Sequence, residues 1–127
     1  MSTISPLYQQ RFRLHIQNAQ TCFRNGDYIQ AGEKIWGALS ALINSRSPRE
    51  IRNVNRKKNF FLNILRLYIN ANPGFTAIMR RSGFRNNDEV WSAIYGLHEF
   101  FYGGGRNFTT RYLSTIMPFF IQLLQNI

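Results

Sequence analysis

Residues 26–44 read GDYIQAGEKIWGALSALIN and carry a helix start, a long apolar stripe and one charged dipeptide. Asp27 suits an N-cap, because its carboxylate can accept from the free amides of a first turn. Gln30 stands where a capping box places its second polar residue. A helix is therefore expected from Tyr28. Tyr28, Ala31, Ile35, Ala38 or Leu39, and Leu42 then recur at steps of three and four, the spacing of one buried helical face. Gly32 and Gly37 each cost a helix interior about 1 kcal/mol relative to Ala, which close approach by another helix would explain. Glu33 and Lys34 project about 100° apart and cannot pair with each other, so each needs a partner elsewhere.

Upstream, Ser5-Pro6 opens a helix whose stripe is Tyr8, Phe12, Ile16, Ala19 and Phe23, and Asn25-Gly26 ends it. Only a short turn then precedes Tyr28, so the two helices should form an antiparallel αα-hairpin. Downstream, Ser47-Pro48-Arg49-Glu50 has the form of a capping box with Pro at the first helical position, and predicts another helix start. Ile51, Val54, Lys58, Phe61 or Leu62, Leu65 and Ile69 keep helical spacing as far as Asn72-Pro73. The first turns are thinly apolar, which leaves room for a break over 53–59 ahead of a firm helix over 60–70. Asn72-Pro73-Gly74 can cap a short helix through Met79, stopped by Gly83. Asn86 and Glu89 make a further capping box, with Asp88 and Glu89 at the positive end of the helix dipole and Val90, Ile94, Leu97 and Phe101 as the buried stripe. Gly103-Gly104-Gly105 ends that helix, Asn107 or Thr109 caps the last one, and Pro118 is expected to remove the bond to Ser114 and kink it. No strand-like alternation appears. The pattern is that of an all-α chain, a compact bundle of five or six antiparallel helices in one domain over 1–127.

A chain of 127 residues with 44% hydrophobic and 15% aromatic residues has ample core material without a disulfide staple. The single Cys22 excludes an internal disulfide and fits a reducing compartment, as a buried, inert thiol. Neither a secretory leader nor an apolar run of the ~20 residues that span a bilayer is visible, so a cytoplasmic, membrane-free protein is expected. Sixteen basic residues, thirteen of them Arg, against six acidic ones give a net charge of +10. Such a field attracts phosphate-bearing partners, and Arg suits bidentate phosphate contact.

GDYIQAGEKIWGALSAL resembles the Gly-Asp-x-x-x-Ala-x-Glu-Lys-x-Trp-Gly-Ala segment of the archaeal PaREP family, small helical proteins related to the HEPN superfamily of nucleotide-binding domains. Leu97–Tyr102, LHEFFY, is similar to that family's Leu-His-x-Asn-Phe-Tyr, with Phe100 where Asn is usual. Together the two segments cover about a quarter of the chain. The resemblance implies an HEPN-like bundle, commonly a homodimer, and among HEPN relatives some are partner subunits of a nucleotidyltransferase. Related HEPN ribonucleases use an Arg followed by His after four to six residues. That spacing is absent here: Arg11 and His15 have three residues between them, Arg85 and His98 twelve. A nuclease would have to bring Arg85 or Arg106 to His98 by tertiary contact.

His98 lies at helical spacing from Trp91, Ile94 and Tyr102, where an imidazole either bonds a neighbour structurally or serves as a base. Glu33 shares a face with Gln30, Gly37, Ser40 and Asn44, which is either solvated or a dimer contact. The two family motifs together hint instead at a polar pocket of Glu33, Lys34, His98 and Tyr102, with Glu33, His98 and Tyr102 as candidate catalytic groups. Arg49, Arg52 and Arg56 recur at steps of three and four with Arg46 before them and Lys57 and Lys58 beside them, a candidate nucleic-acid-binding face that is otherwise a solvated one. One Cys and two distant His make no metal site, and no cofactor motif is present. The expected function is an HEPN-like, homodimeric module binding RNA or DNA through the Arg-rich face without catalysis. The alternatives are a toxin-like ribonuclease or nucleotide-handling enzyme centred on His98, or a nucleotidyltransferase partner.

Overall fold

A computed structural model describes residues 5–104 and 108–127, and these form six helices and no strand: α1 (Ser5–Arg24), α2 (Tyr28–Arg46), α3 (Val54–Ala71), α4 (Phe75–Arg81), α5 (Asn87–Phe101) and α6 (Thr110–Asn126). Gly105, Arg106 and Asn107, which the sequence reading used as a turn, a catalytic option and a cap, lie outside the described residues. None of the described helices is long and apolar enough to cross a membrane.

α2 begins as its sequence dictates, with the Gln30 amide donating to Asp27 Oδ1 at 3.2 Å. α1 ends in a Schellman motif: Gly26 takes φ 79°, which its missing Cβ permits, and the Asp27 amide donates to the Cys22 carbonyl at 2.9 Å. The turn is so short that α2 folds straight back on α1, the most extensive helix pairing in the molecule. α5 crosses the other side of α2 in the opposite direction, since Glu33 early in α2 meets His98 late in α5. One apolar cluster receives side chains from all six helices, with Ile35, Leu39, Phe61, Leu65, Ile94 and Phe120 fully enclosed.

Both glycines of α2 mark close approaches. A Cβ on Gly32 would lie 3.2 Å from Leu97 Cβ of α5, and one on Gly37 would lie 3.0 Å from the His15 ring of α1. Asn86 caps α5 by accepting from the Glu89 amide at 2.9 Å, but Glu89 reaches back to the Arg85 amide (2.6 Å) and not to that of Asn86. Thr109 caps α6, which continues through the exposed Pro118 as one helix. Cys22 is half-buried rather than enclosed.

The helix start expected at Ser47 is overturned. Ser47 is the C-cap of α2, α3 begins only at Val54 behind an Asn53 cap that accepts from the Arg56 amide, and 47–53 is a non-helical linker. The residues that resemble a capping box have other partners. Ser47 Oγ donates to the Arg49 carbonyl at 2.6 Å. Glu50 accepts from the Tyr8 hydroxyl of α1 at 2.8 Å. Asn44, buried in α2, accepts from the Ile51 amide at 2.6 Å. These bonds hold the linker in a non-helical path: the Arg49 amide still reaches Ser47 Oγ at 3.3 Å, but the Ile51 amide goes to Asn44 instead of to a carbonyl of a following helical turn.

Candidate functional site

Two groupings of candidate residues emerge, one between α2 and α5 and one along the 47–53 linker. In the first, Glu33, Trp36 and Ser40 stand at steps of three and four on α2 and face Trp91, Tyr95, His98 and Tyr102, which line one side of α5. His98 Nδ1 lies 3.0 Å from Glu33 Oε2 and 3.2 Å from Oε1. With Glu33 ionised and the imidazole neutral, the ring proton sits on Nδ1 and the Nε2 lone pair has no partner among the described residues. The Trp36 ring stacks on His98 at 4.9 Å and 24°, and Tyr102 meets it edge-on at 5.1 Å. Carboxylate and indole together fix the imidazole plane.

The pair is reachable from one side, since the Glu33 and His98 side chains are 20% and 29% exposed. Burial pushes the Glu33 carboxyl above its ordinary 4.5, outweighing the hydrogen bond from His98, the His98 charge and the Lys34 charge, all of which favour the carboxylate. An imidazole oriented by a half-buried carboxylate has the arrangement of a general base.

Of the residues expected to share a pocket, Glu33 and Tyr102 both meet His98, while Lys34 is not in contact with it. Among the described residues Lys34 forms no ion pair. Its charge acts also on His15, whose imidazole burial, with Lys34 and Arg11, holds below its ordinary 6.5. Buried His15 Nδ1 has no hydrogen-bond partner among the described residues. Arg85 does not reach His98: it precedes α5 and pairs with Glu89 (3.4 Å), whereas Asn87 to His98 spans about 16 Å of helix at 1.5 Å per residue.

The basic residues divide. Arg49 and Arg52 lie on the non-helical linker, so they cannot share a helical face with Arg56 in the first turn of α3. Arg46, Arg49, Arg52 and Arg56 are all exposed, and the linker bonds to Tyr8 and Asn44 hold that stretch of chain against the bundle. Arg52 pairs with Glu50 at 3.1 Å, Lys58 approaches Asp88 at 3.7 Å, and Arg46 donates to the Ile127 carbonyl at 2.7 Å. Lys57 turns inward. Its Nζ lies 5.4 Å from the Trp36 ring centre and 3.3 Å from Ser40 Oγ. Burial lowers its ammonium below the ordinary 10.5, partly offset by Glu50.

Sequence reasoning missed two organising groups. Trp36, which the apolar stripe leaves out, is buried and contacts both His98 and Lys57. Asn44 was placed on a small polar face and anchors the linker. The alignment of Trp36 and Ser40 with Glu33 was the available signal for the first. No short-range signal marked the second, since Ile51 lies beyond the end of the helix. Among the described residues no group of three or more His, Cys, Asp or Glu could hold a metal ion.

Residues 10–112 match the model of the archaeal PaREP1/PaREP8 family, and the chain belongs to that family. No curated protein and no solved structure matches it.

Proposed function

We propose that this PaREP1/PaREP8 protein is a non-catalytic helical module that binds the phosphate backbone of nucleic acid through Arg46, Arg49, Arg52, Arg56 and Lys58, with two HEPN-like bundles paired in the active species. The observation that supports it is the linker itself: bonded to α1 and α2 on its inner side, it carries Arg49 and Arg52 outward between Arg46 and Arg56. A held row of guanidiniums binds phosphates with less ordering cost than a floppy one. Lys57, turned toward Trp36, adds field but no direct contact. No base-reading motif accompanies the row, so recognition is of backbone and not of sequence.

Affinity for single-stranded RNA should fall steeply with salt, log K dropping with log salt by about 0.7 per phosphate neutralised. The Arg49→Glu, Arg52→Glu, Arg56→Glu variant should lose binding with its circular dichroism and melting unchanged. Binding indifferent to salt and to those charges would overturn the reading, and light scattering decides whether the bundles pair.

The Glu33–His98 pair favours a second reading, a ribonuclease or nucleotide-handling enzyme with His98 as base, Glu33 orienting it and Tyr102 beside it. In that case RNA is cleaved by the purified protein, and His98→Ala abolishes cleavage at preserved stability. Absence of cleavage, or cleavage that survives the substitution, removes it.

A further inference from the structure

We propose that the cleft between α3, α4 and the start of α5 binds a dianionic phosphoryl group, at a site separate from the basic linker. The cleft measures ≈ 240 Å³ and is lined by Arg66 and Asn70 of α3, Thr76 and Arg80 of α4, and Arg85 and Asn86 of the turn into α5. Ile69, Met79 and Phe84 line it as well.

The way α4 ends builds this place. Gly83 takes φ 94°, the Phe84 amide donates to the Met79 carbonyl at 2.9 Å and the Gly83 amide to Arg80 at 3.0 Å, a Schellman motif that reverses the chain. Phe84 is then driven into the core against Phe119 (4.9 Å) and Phe120 (5.8 Å), with 3% of its surface exposed. A buried anchor one residue before Arg85 sets where that arginine begins, and the packing of α3 and α4 brings Arg66 and Arg80 to the same cleft.

The charge count selects the ligand. Arg66 donates to the neutral Asn63 Oδ1 at 2.7 Å, and Arg80 has no carboxylate within ion-pair distance among the described residues. Among the described residues Glu89 alone pairs with the group, through Arg85 Nε at 3.4 Å. Three guanidiniums against one carboxylate leave two positive charges, which match the roughly −1.5 to −2 of a phosphate monoester at neutral pH better than the single charge of a diester. Arginine forks suit its oxygens. Asn86 Oδ1 is already occupied by the Glu89 amide, so its amide nitrogen remains as a donor toward the cleft. The volume is below the 300 Å³ at which small-molecule pockets usually begin, and so suits a phosphoryl group with little attached rather than a whole nucleotide. Arg66 follows Arg56 by ten residues on α3, about 15 Å along the helix, so the cleft and the linker are distinct positions.

The phosphoryl group comes either from the end of a nucleic-acid strand or from free phosphate. Titration of the full chain with inorganic phosphate, followed on the arginine side-chain Nε signals by NMR, should give saturable shifts at Arg66, Arg80 and Arg85 and none at Arg111. Arg66→Gln and Arg80→Gln should each weaken the titration about tenfold. A short RNA bearing a 5′-phosphate is then compared with its 5′-hydroxyl counterpart. Tighter binding of the phosphorylated strand, lost in Arg80→Gln, supports the site with a strand end as its occupant; equal binding with an intact phosphate titration supports it with free phosphate. No saturable shift, no effect of Arg66→Gln and Arg80→Gln, or an equal effect of Arg111→Gln overturns it. The Arg49→Glu, Arg56→Glu variant should leave the phosphate titration unchanged, so the cleft and the linker can fail independently.

Discussion

Replacing Asn44 by Ala removes the acceptor that ties the Ile51 amide, and with it the middle of the linker, to α2. The bond is short, 2.6 Å, and the acceptor residue is 5% exposed, so water replaces it poorly. Losing such a bond costs about 1–3 kcal/mol, while Ala in place of Asn in a helix returns about 0.6 kcal/mol, for a net loss of about 1.5 kcal/mol. At roughly 4 °C per kcal/mol for a chain of this size, the melting temperature should fall by about 6 °C. Hydrogen exchange should show where the loss falls: the Ile51 amide should exchange faster than in the parent protein, while the centre of α2 around Leu39 keeps its protection. RNA affinity should drop although every charge is retained, because the arginine row is no longer held. An unchanged melting temperature with Ile51 as protected as before would refute the account of why 47–53 is not helical, and unchanged affinity in a loosened linker would show that charge alone matters.

Four further outcomes follow from the geometry. Because Glu33 titrates above 4.5 in the folded protein, its contribution to stability is fully present below that value and is lost as pH rises through the folded pKa. Glu33→Gln should therefore gain stability relative to the parent as pH rises above 4.5, read by urea unfolding; parallel pH profiles would contradict this. His15 has the opposite sign: held below 6.5, it contributes stability above 6.5 that is lost as pH falls through the lower folded value. An NMR titration placing its ring at or above 6.5 would be inconsistent with its burial against Gly37. Lys57→Met should lower RNA affinity less than Arg56→Gln and leave stability within about 1 kcal/mol, since the stem stays against Trp36 while a cation–π contact is exchanged for relief of burial. Trp36→Ala should cost about 3–5 kcal/mol by chemical denaturation, because the indole fills the space between Trp91, Tyr95 and His98.

Much of the fold was readable residue by residue. Asp27 and Asn86 start α2 and α5 where their side chains predicted, Gly26 and Gly83 end α1 and α4, and the Ala31–Ile35–Leu39 stripe is core. The expectation that another helix would press on Gly32 and Gly37 also holds, with α5 at one and His15 of α1 at the other. These features rest on bonds and spacings that close within a turn or two of chain, so the local residues carry all the information required. The helix start at Ser47 failed for the complementary reason. Its cap was locally sound, but Asn44 at the end of α2 competes for the Ile51 amide, and Tyr8, 42 residues from Glu50, reaches it only once α1 and α2 have packed. The meeting of Glu33 with His98 across 65 residues, the turning of Lys57 onto Trp36 and the convergence of Arg66, Arg80 and Arg85 are likewise products of packing. Caps and stripes state which backbone a segment prefers; which side chain meets which depends on how the whole bundle shares its apolar faces, and that is decided in three dimensions.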